Sequence, residues 1–353
     1  MANPFALRLL LLSILVGAFA LAWQQLNQIP LLVVGQQSVT GPMQRDKEAP
    51  FFAQLQARTG LPFKVTYKPI DQIGFKDVYQ VQALKNGTFD LVSLRFIQNS
   101  QVEPSLAGID MPGLIQDYPT ARKVAAAYAG TVDRYLQERF SSKLLGVWSF
   151  GPQEVFCRQP ISRLADLRGL KIRVASPLLA TLLGELGASP AVIPFEDTRA
   201  ALRAGLVDCA ITSAQSAHFA GWLQYADHSY PIAFQFGLNG YAISLAKWNA
   251  MTPQQRRTLT RVFDDYVAEF WAFSRTLQAE VVRCHAGGDC GRWKPYRLKR
   301  VEPSPEDIHL LREIMHRKIW PAWAATCDRI RPDCSREWQE KVGPFAAIDS
   351  SSP

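Results

Sequence analysis

Ala83-Leu84-Lys85-Asn86-Gly87-Thr88-Phe89-Asp90-Leu91-Val92 and Ala201-Leu202-Arg203-Ala204-Gly205-Leu206-Val207-Asp208-Cys209-Ala210 repeat one pattern at two distant places in the chain. Each reads as a helix that stops at a glycine and gives way to a short apolar strand entered through an aspartate. Glycine supplies the left-handed backbone that other residues adopt only at a cost, and an apolar run this short is a buried strand. The repetition predicts two lobes built alike, with a ligand site where their strand ends converge.

Outward from the first copy, residues 31–34 form a short apolar run, 51–58 have helical periodicity closing on Gly60, and 63–67 alternate like a strand. This β-α-β order with short connections predicts a parallel α/β sheet. The second lobe opens near Gly151, with a strand at 154–158, a turn at Pro160, a helix-like stub at 162–167 and a strand at 171–174. A helix at 177–187 and a short strand at 191–193 lead to the second copy of the pattern. Thr252-Pro253 joins a capping residue to a proline suited to the first turn, and nothing breaks the helix before about Cys284. At 1.5 Å per residue that helix spans roughly 45 to 50 Å, enough to run along both lobes. A further strand, a helix over 305–325 and a second cysteine loop follow. Lobe I is thus expected to comprise 30–150 and about 239–278, lobe II 151–238 and about 279–340, with 341–353 as a tail.

The chain has 353 residues, 48% of them apolar and 20% charged, a composition for a folded protein too long for one ordinary unit. Arg8 precedes an apolar run over 9–22 containing Ala18-Phe19-Ala20 and Ala20-Leu21-Ala22, which reads as a secretory signal peptide over 1–22 and predicts export to the periplasm. The run is short for a span of ~30 Å of hydrocarbon, although an uncleaved signal anchor is an alternative. The formal charge of +8 and the basic stretch Arg292, Lys294, Arg297, Lys299 and Arg300, interleaved with Trp293 and Tyr296, invite a nucleic-acid reading. Export removes access to that partner, so no nucleic acid is expected and a solvated basic strand explains the residues. Mild positive charge still favours anionic small molecules.

Six cysteines in an oxidising compartment point to disulfides. Cys284 with Cys290 and Cys327 with Cys334 would close short loops. That leaves Cys157 with Cys209, which is sensible only if the fold brings their strands together. Fifteen pairings are open to six cysteines, and a zinc site including His285 is the rival, though its spacings lack close CxxC pairs. No metal and no cofactor are expected. The chain has no GxSxG elbow, P-loop, GxGxxG or HExxH, and His218, His228, His285, His309 and His316 show no metal-ligand spacing. Glu196 and Asp197 sit at a helix start, where the dipole favours negative charge. In Lys171-Ile172-Arg173-Val174, Ile172 and Val174 face one side while Lys171 and Arg173 face the other. Spacing alone reads this as a solvated strand face. An arginine facing an interlobe cleft, however, holds a carboxylate by two parallel hydrogen bonds that lysine does not reproduce.

Leu164-Ala165-Asp166-Leu167-Arg168-Gly169-Leu170-Lys171-Ile172-Arg173-Val174, then Leu186-Gly187-Ala188-Ser189-Pro190, Ile193-Pro194-Phe195-Glu196-Asp197 and the second copy of the repeated pattern resemble the DctP-type solute receptors of TRAP transporters. The likeness extends upstream through Val81 to Asp90 and Asp110-Met111-Pro112-Gly113-Leu114-Ile115, and downstream through Ala242-Ile243-Ser244-Leu245 and Trp248 to Gln255. The resemblance implies an α/β, two-lobed periplasmic-binding-protein-like fold with a long helix spanning both lobes. It also implies closure around a small organic acid and handover to small and large membrane subunits driven by an ion gradient. Arg173 falls on the family's carboxylate-binding arginine. Gln153 stands where many relatives carry a second arginine, Arg158 where an asparagine is usual, and Thr212 where the ligand-facing asparagine would be. Arg95, Trp148 and Asn239 are further ligand-binding candidates, as are Gln36, Gln37, Ser38, Ser93, Phe150 and Phe234. Two alternatives compete with the receptor reading: an enzyme on the same scaffold, with Glu154 the nearby carboxylate to nominate, and a periplasmic sensor that binds ligand without transport.

Overall fold

The computed structural model describes residues 28–346; the expected signal peptide over 1–22 and residues 347–353 lie outside the described residues. In chain order the strands are β1 (Ile29–Gly35), β2 (Phe63–Pro69), β3 (Leu91–Leu94), β4 (Ser142–Ser149), β5 (Gln153–Cys157), β6 (Lys171–Val174), β7 (Ser189–Val192), β8 (Cys209–Thr212), β9 (His228–Gln235), β10 (Leu238–Ser244) and β11 (Lys299–Arg300). They form two sheets, ordered β2-β1-β3-β10-β4 and β11-β9-β5-β8-β6-β7. The molecule is therefore a two-lobed α/β structure, one lobe around each sheet.

The two sheets share a plan. In each, a central strand has a parallel neighbour on one side and an antiparallel neighbour on the other: β3 lies between β1 and β10, and β8 between β6 and β5. All four residues of β3 and of β8 are buried, as expected for strands covered on both faces. Gly87 and Gly205 both have positive φ, 71° and 68°, as the shared pattern requires. The aspartates that follow do identical work. Asp90 accepts the Leu32 N–H at 2.8 Å through its carboxylate, donates its own N–H to the Leu32 carbonyl at 3.1 Å, and offers its carbonyl to the Ser244 N–H at 2.8 Å. Asp208 makes the same three bonds to Lys171 N at 2.8 Å, Lys171 O at 2.8 Å and Arg158 N at 3.1 Å. One residue thus ties the central strand to both neighbours in each lobe.

Two direct strand-to-strand connections cross from sheet to sheet, β4 to β5 and back from β9 to β10. The crossovers lie side by side, with Phe150 N–H on the Gly237 carbonyl at 3.0 Å and Ser149 Oγ–H on the Phe236 carbonyl at 2.8 Å. Buried Asp110 braces them by accepting from Phe236 N at 2.7 Å and Leu238 N at 3.0 Å. Burial pushes its carboxyl up to about 6 against the pull of these N–H groups.

A helix over Pro253–His285 runs behind both lobes, about 50 Å at 1.5 Å per residue. Thr252 and Gln255 cap its start reciprocally. Its first half packs on lobe I, where Tyr266 stacks on Phe51 at 3.6 Å and the Trp271 indole donates to the Val147 carbonyl at 2.8 Å. Its second half meets lobe II, where Gln278 donates to Glu154 at 3.0 Å. No helix among the described residues is long and apolar enough to cross a membrane.

The C-terminal segment corrects the expected boundaries. The helix Pro305–Ile314 and its wide-turn continuation Met315–Ile319 pack on the lobe II helix Pro177–Glu185, but the following helices Trp320–Ile330 and Cys334–Lys341 return to lobe I. Two buried tryptophans decide this. Trp323 donates to the Pro104 carbonyl at 2.7 Å and Trp338 to the Gly108 carbonyl at 2.6 Å, both in lobe I. Assignment of all of 279–340 to lobe II therefore fails, and 341–346 is helical packing with Val342 and Ala346 buried, not tail.

Three disulfides join Cys157 to Cys209, Cys284 to Cys290 and Cys327 to Cys334. Cys157 and Cys209 face each other directly across antiparallel β5 and β8, with Cα atoms 4.1 Å apart. His285 lies against His218, Nε2 to Nδ1 at 3.1 Å, and the neighbouring Cys284 and Cys290 are joined to each other.

Candidate functional site

Between the lobes, beside the crossovers, lies a cavity with about 630 Å³ of empty space, part of it open to solvent. Lobe I contributes Gln37, Thr40, Asp77 and Arg95; lobe II contributes Gln153, Arg173, Phe195, Thr212 and Ser216; the crossover region contributes Phe150, Asp110, Gln235 and Asn239.

Arg173 is 2% exposed, so the solvated strand face that spacing suggests does not exist. It sits on β6 between parallel β7 and β8, whose carbonyl-bearing ends hold its side chain. Nε donates to the Ile193 carbonyl at 2.8 Å and Nη1 to the Ile211 carbonyl at 3.1 Å. Trp222 and Phe195 flank the guanidinium at 5.4 and 5.9 Å. Two backbone bonds and two aromatic faces fix the fork, and Nη2 has no protein partner among the described residues. Burial pulls its pKa down to about 10, against the opposing pull of Asp77 and Glu196. The group is still a cation at neutral pH.

Arg95 lies in lobe I at the end of β3, immediately before the short helix Phe96–Asn99. It is 6% exposed, with its guanidinium over Phe150 at 4.6 Å and Trp148 at 5.8 Å. Its backbone N–H is tied to Gln80 Oε1 at 2.9 Å, but no hydrogen bond or ion pair among the described residues engages its guanidinium. Burial lowers its pKa and Asp77 opposes that. Asp77, in the turn over Asp77–Tyr79, faces the same cavity. Its carbonyl accepts from Asn99 at 2.8 Å, while its carboxylate is engaged among the described residues only by its own backbone N–H. The acid is raised by burial, with Arg95 pulling the other way.

Several contacts join the lobes, and two of them lie beside this cavity. Gln37 of lobe I donates to the Glu196 carboxylate of lobe II at 3.0 Å, and Gln215 of lobe II donates to the Phe150 carbonyl at 2.7 Å. Glu196 does stand in the first turn of the helix Phe195–Arg203, as its position in the sequence predicts, yet it also bridges the lobes.

Of the residues predicted from sequence, Arg173, Gln153, Thr212, Arg95 and Asn239 line the cavity, as do Gln37 and Phe150. Trp148 does not. It is fully buried one layer behind, its ring against Phe150 at 4.8 Å and Phe270 at 4.6 Å, where it backs the surface on which Arg95 rests. Arg158 is exposed at the far end of β5 and donates to the Leu202 carbonyl at 2.9 Å. Because β5 leaves the cavity at Gln153, each further residue carries the chain away from it by about 3.3 Å. Gln36 is turned inward onto buried Glu48, Ser38 bonds Asp71, and Phe234 belongs to the apolar core. Glu154 alternates away from Gln153 and is buried against Gln278 and Arg300, the latter at 2.7 Å, so the carboxylate nominated for catalysis lies outside the cavity. Asp77, Thr40, Phe195, Ser216 and Gln235 were missed. Asp77 has no motif around it, and its entry into the site depends on the packing of a turn against the short helix Phe96–Asn99.

Similarity to known proteins agrees with this architecture. The model of bacterial extracellular solute-binding protein, family 7 (DctP) matches residues 40–284, more than two thirds of the chain. The chain is 25% identical over 214 residues to the 2,3-diketo-L-gulonate-binding periplasmic protein YiaO of Escherichia coli, covering 58% of this chain and 63% of the relative. It is 25% identical over 185 residues to the sialic acid-binding periplasmic protein SiaP of Vibrio cholerae, covering 52% and 57%. The matches thus span about three fifths of the length of these curated relatives. Among solved structures, DctP6 of Bordetella pertussis, an extracytoplasmic solute receptor binding pyroglutamic acid, superposes with a TM-score of 0.79 at 16% identity over 90% of this chain and all of that one. A TRAP periplasmic solute-binding protein from Rhodoferax ferrireducens with bound malonate does so at 0.76 and 21%, over 90% and 98%. At these identities the superpositions speak for the fold, and the family match speaks for the lineage: the chain belongs to the DctP family, bacterial extracellular solute-binding protein family 7.

Proposed function

We propose that this protein is the solute-binding receptor of a TRAP-type transporter: exported to the periplasm, it captures a small organic anion between its lobes and delivers it to small and large membrane subunits, without altering it chemically. One observation carries the reading. Arg173 is a buried, charged guanidinium held by two backbone carbonyls with donors left over toward the cavity. A buried cation is costly unless something pairs with it, and a carboxylate matches a planar guanidinium by two parallel bonds. The crossovers supply the hinge, two adjacent connections braced by Asp110 about which lobes close on a ligand. Proteins of the same fold are described with malonate, pyroglutamic acid and orotic acid, all carboxylic acids.

A library of small carboxylic acids screened by thermal shift tests it. A ligand present at 100 times its Kd stabilises the native state by about 2.7 kcal/mol, a shift of a few degrees for a protein of this size. At least one acid is expected to give that shift in the wild type and none in Arg173→Ala. Absence of any shift with any acid would refute the receptor reading.

A further inference from the structure

We propose that Asp77 sets the substrate class of the cavity, selecting a monocarboxylate that carries an N–H or O–H donor and rejecting dicarboxylates. The proposal rests on the receptor reading above and goes beyond it by naming what the second half of the ligand must be.

Two arginines facing one cavity from opposite lobes would by themselves suit two carboxylates. The acidic groups beside them reverse that expectation. Asp77 lines the cavity along with Arg95 and Arg173, forms an ion pair with neither among the described residues, and its carboxylate is engaged there only by its own backbone N–H. An ionised carboxylate only accepts hydrogen bonds. A half-buried one with a single local donor has acceptor capacity to spare, and a ligand that closes over it and excludes water does best by bringing a donor. The second carboxylate of a diacid would bring another acceptor and a like charge, adding repulsion in a site of low dielectric. Asp110 does not relieve this, since its oxygens are occupied by the Phe236 and Leu238 N–H groups, and it adds negative charge at the crossover end. Glu196, bonded to Gln37 across the cleft, adds more close enough to act on Arg173 and Asp77. The two guanidiniums thus sit among three carboxylates, so every further negative charge a ligand brings meets repulsion as well as attraction. A ligand with one carboxylate, placed on Arg173, and a neutral or cationic donor, placed on Asp77, adds at most one such charge; a dianion adds two.

The test compares size-matched acids by isothermal titration calorimetry: pyroglutamate against glutarate, lactate against malonate, and 4-hydroxybutyrate against succinate. The wild type is expected to bind at least one donor-bearing acid and to prefer it over its diacid partner by roughly 100-fold or more, less than the ~10⁴-fold reached where the polar group is fully buried. Asp77→Asn, which keeps the shape and removes the charge, should narrow that preference by about tenfold or more, with Asp77→Ser as a second variant should the first fold poorly. Equal or tighter binding of a diacid by the wild type, or an unchanged preference in both variants, overturns the role of Asp77 and leaves the receptor reading standing. Failure of every acid to bind the wild type refutes both together.

Discussion

The two lobes are the same frame carrying different chemistry. Asp90 and Asp208 make the same three bonds, the flanking strands run in the same directions, and a glycine with positive φ precedes each aspartate by three residues. Counted from those aspartates and the strands they clamp, the lobe II equivalent of Arg95 is Ser213, and the lobe I equivalent of Arg173 is Val34, both buried. Each lobe thus places its arginine where the other has a small polar or apolar residue. Arg173 is fixed by two carbonyls, whereas Arg95 rests on Phe150 and Trp148 with its guanidinium unbonded among the described residues. The frame is shared because strand pairing demands it. The site is not, because a ligand meets each lobe with a different end.

The comparison breaks most visibly through the arginines. Arg173→Lys should cost about 2–5 kcal/mol of ligand binding, since lysine reproduces neither the fork nor the two carbonyl bonds. Arg95→Lys should cost less, because a guanidinium held only by aromatic faces gives up less geometry. Titration of both variants with the same acid checks the order; equal losses would mean that the carbonyl bonds of Arg173 contribute nothing.

Next in size are the clamps. Asp90→Ala and Asp208→Ala should each destabilise the fold by about 1–2 kcal/mol, each leaving one strand N–H without its charged acceptor. Asp90→Ala should be slightly worse, as Lys247 also approaches that carboxylate at 3.5 Å. Chemical denaturation measures this, and a neutral result at either position would show that its lobe does not depend on the clamp.

A further effect separates the lobes by pH. His218 and His285 form a buried pair, His285 being the last residue of the long helix at its lobe II end, and burial lowers them to about 4 and 3. Since these folded pKa values lie below the ordinary 6.5, the unfolded chain binds more protons between them, so stability falls as pH drops from 6.5 toward 4. His218→Gln should flatten that slope in a denaturation series from pH 7 to 4.

The elements legible in the sequence were those written locally. A helix-ending glycine, an aspartate at a strand entrance and the Thr252-Pro253 cap with Gln255 three residues on each declare themselves within a few positions. What escaped was written at long range. Arg158 stands in a recognisable motif, but the motif does not say which end of β5 faces the cleft. Glu196 satisfies a helix start and so hides its bond to Gln37, 159 residues away. Trp323 and Trp338 carry the C-terminal helices back to lobe I by contacts with residues more than two hundred positions earlier. Arg173 lies between these extremes: its strand is local, its burial is not, and only the family resemblance pointed past the solvated face that spacing implied.

The receptor reading stands or falls with that residue. Calorimetric titration of the best acid into the wild type, Arg173→Ala and Arg158→Ala compares an arginine inside the cavity with one outside it. The expected result is an affinity at least about 100-fold weaker in Arg173→Ala and unchanged in Arg158→Ala; undiminished binding by Arg173→Ala would contradict the assignment of this cavity as the carboxylate site.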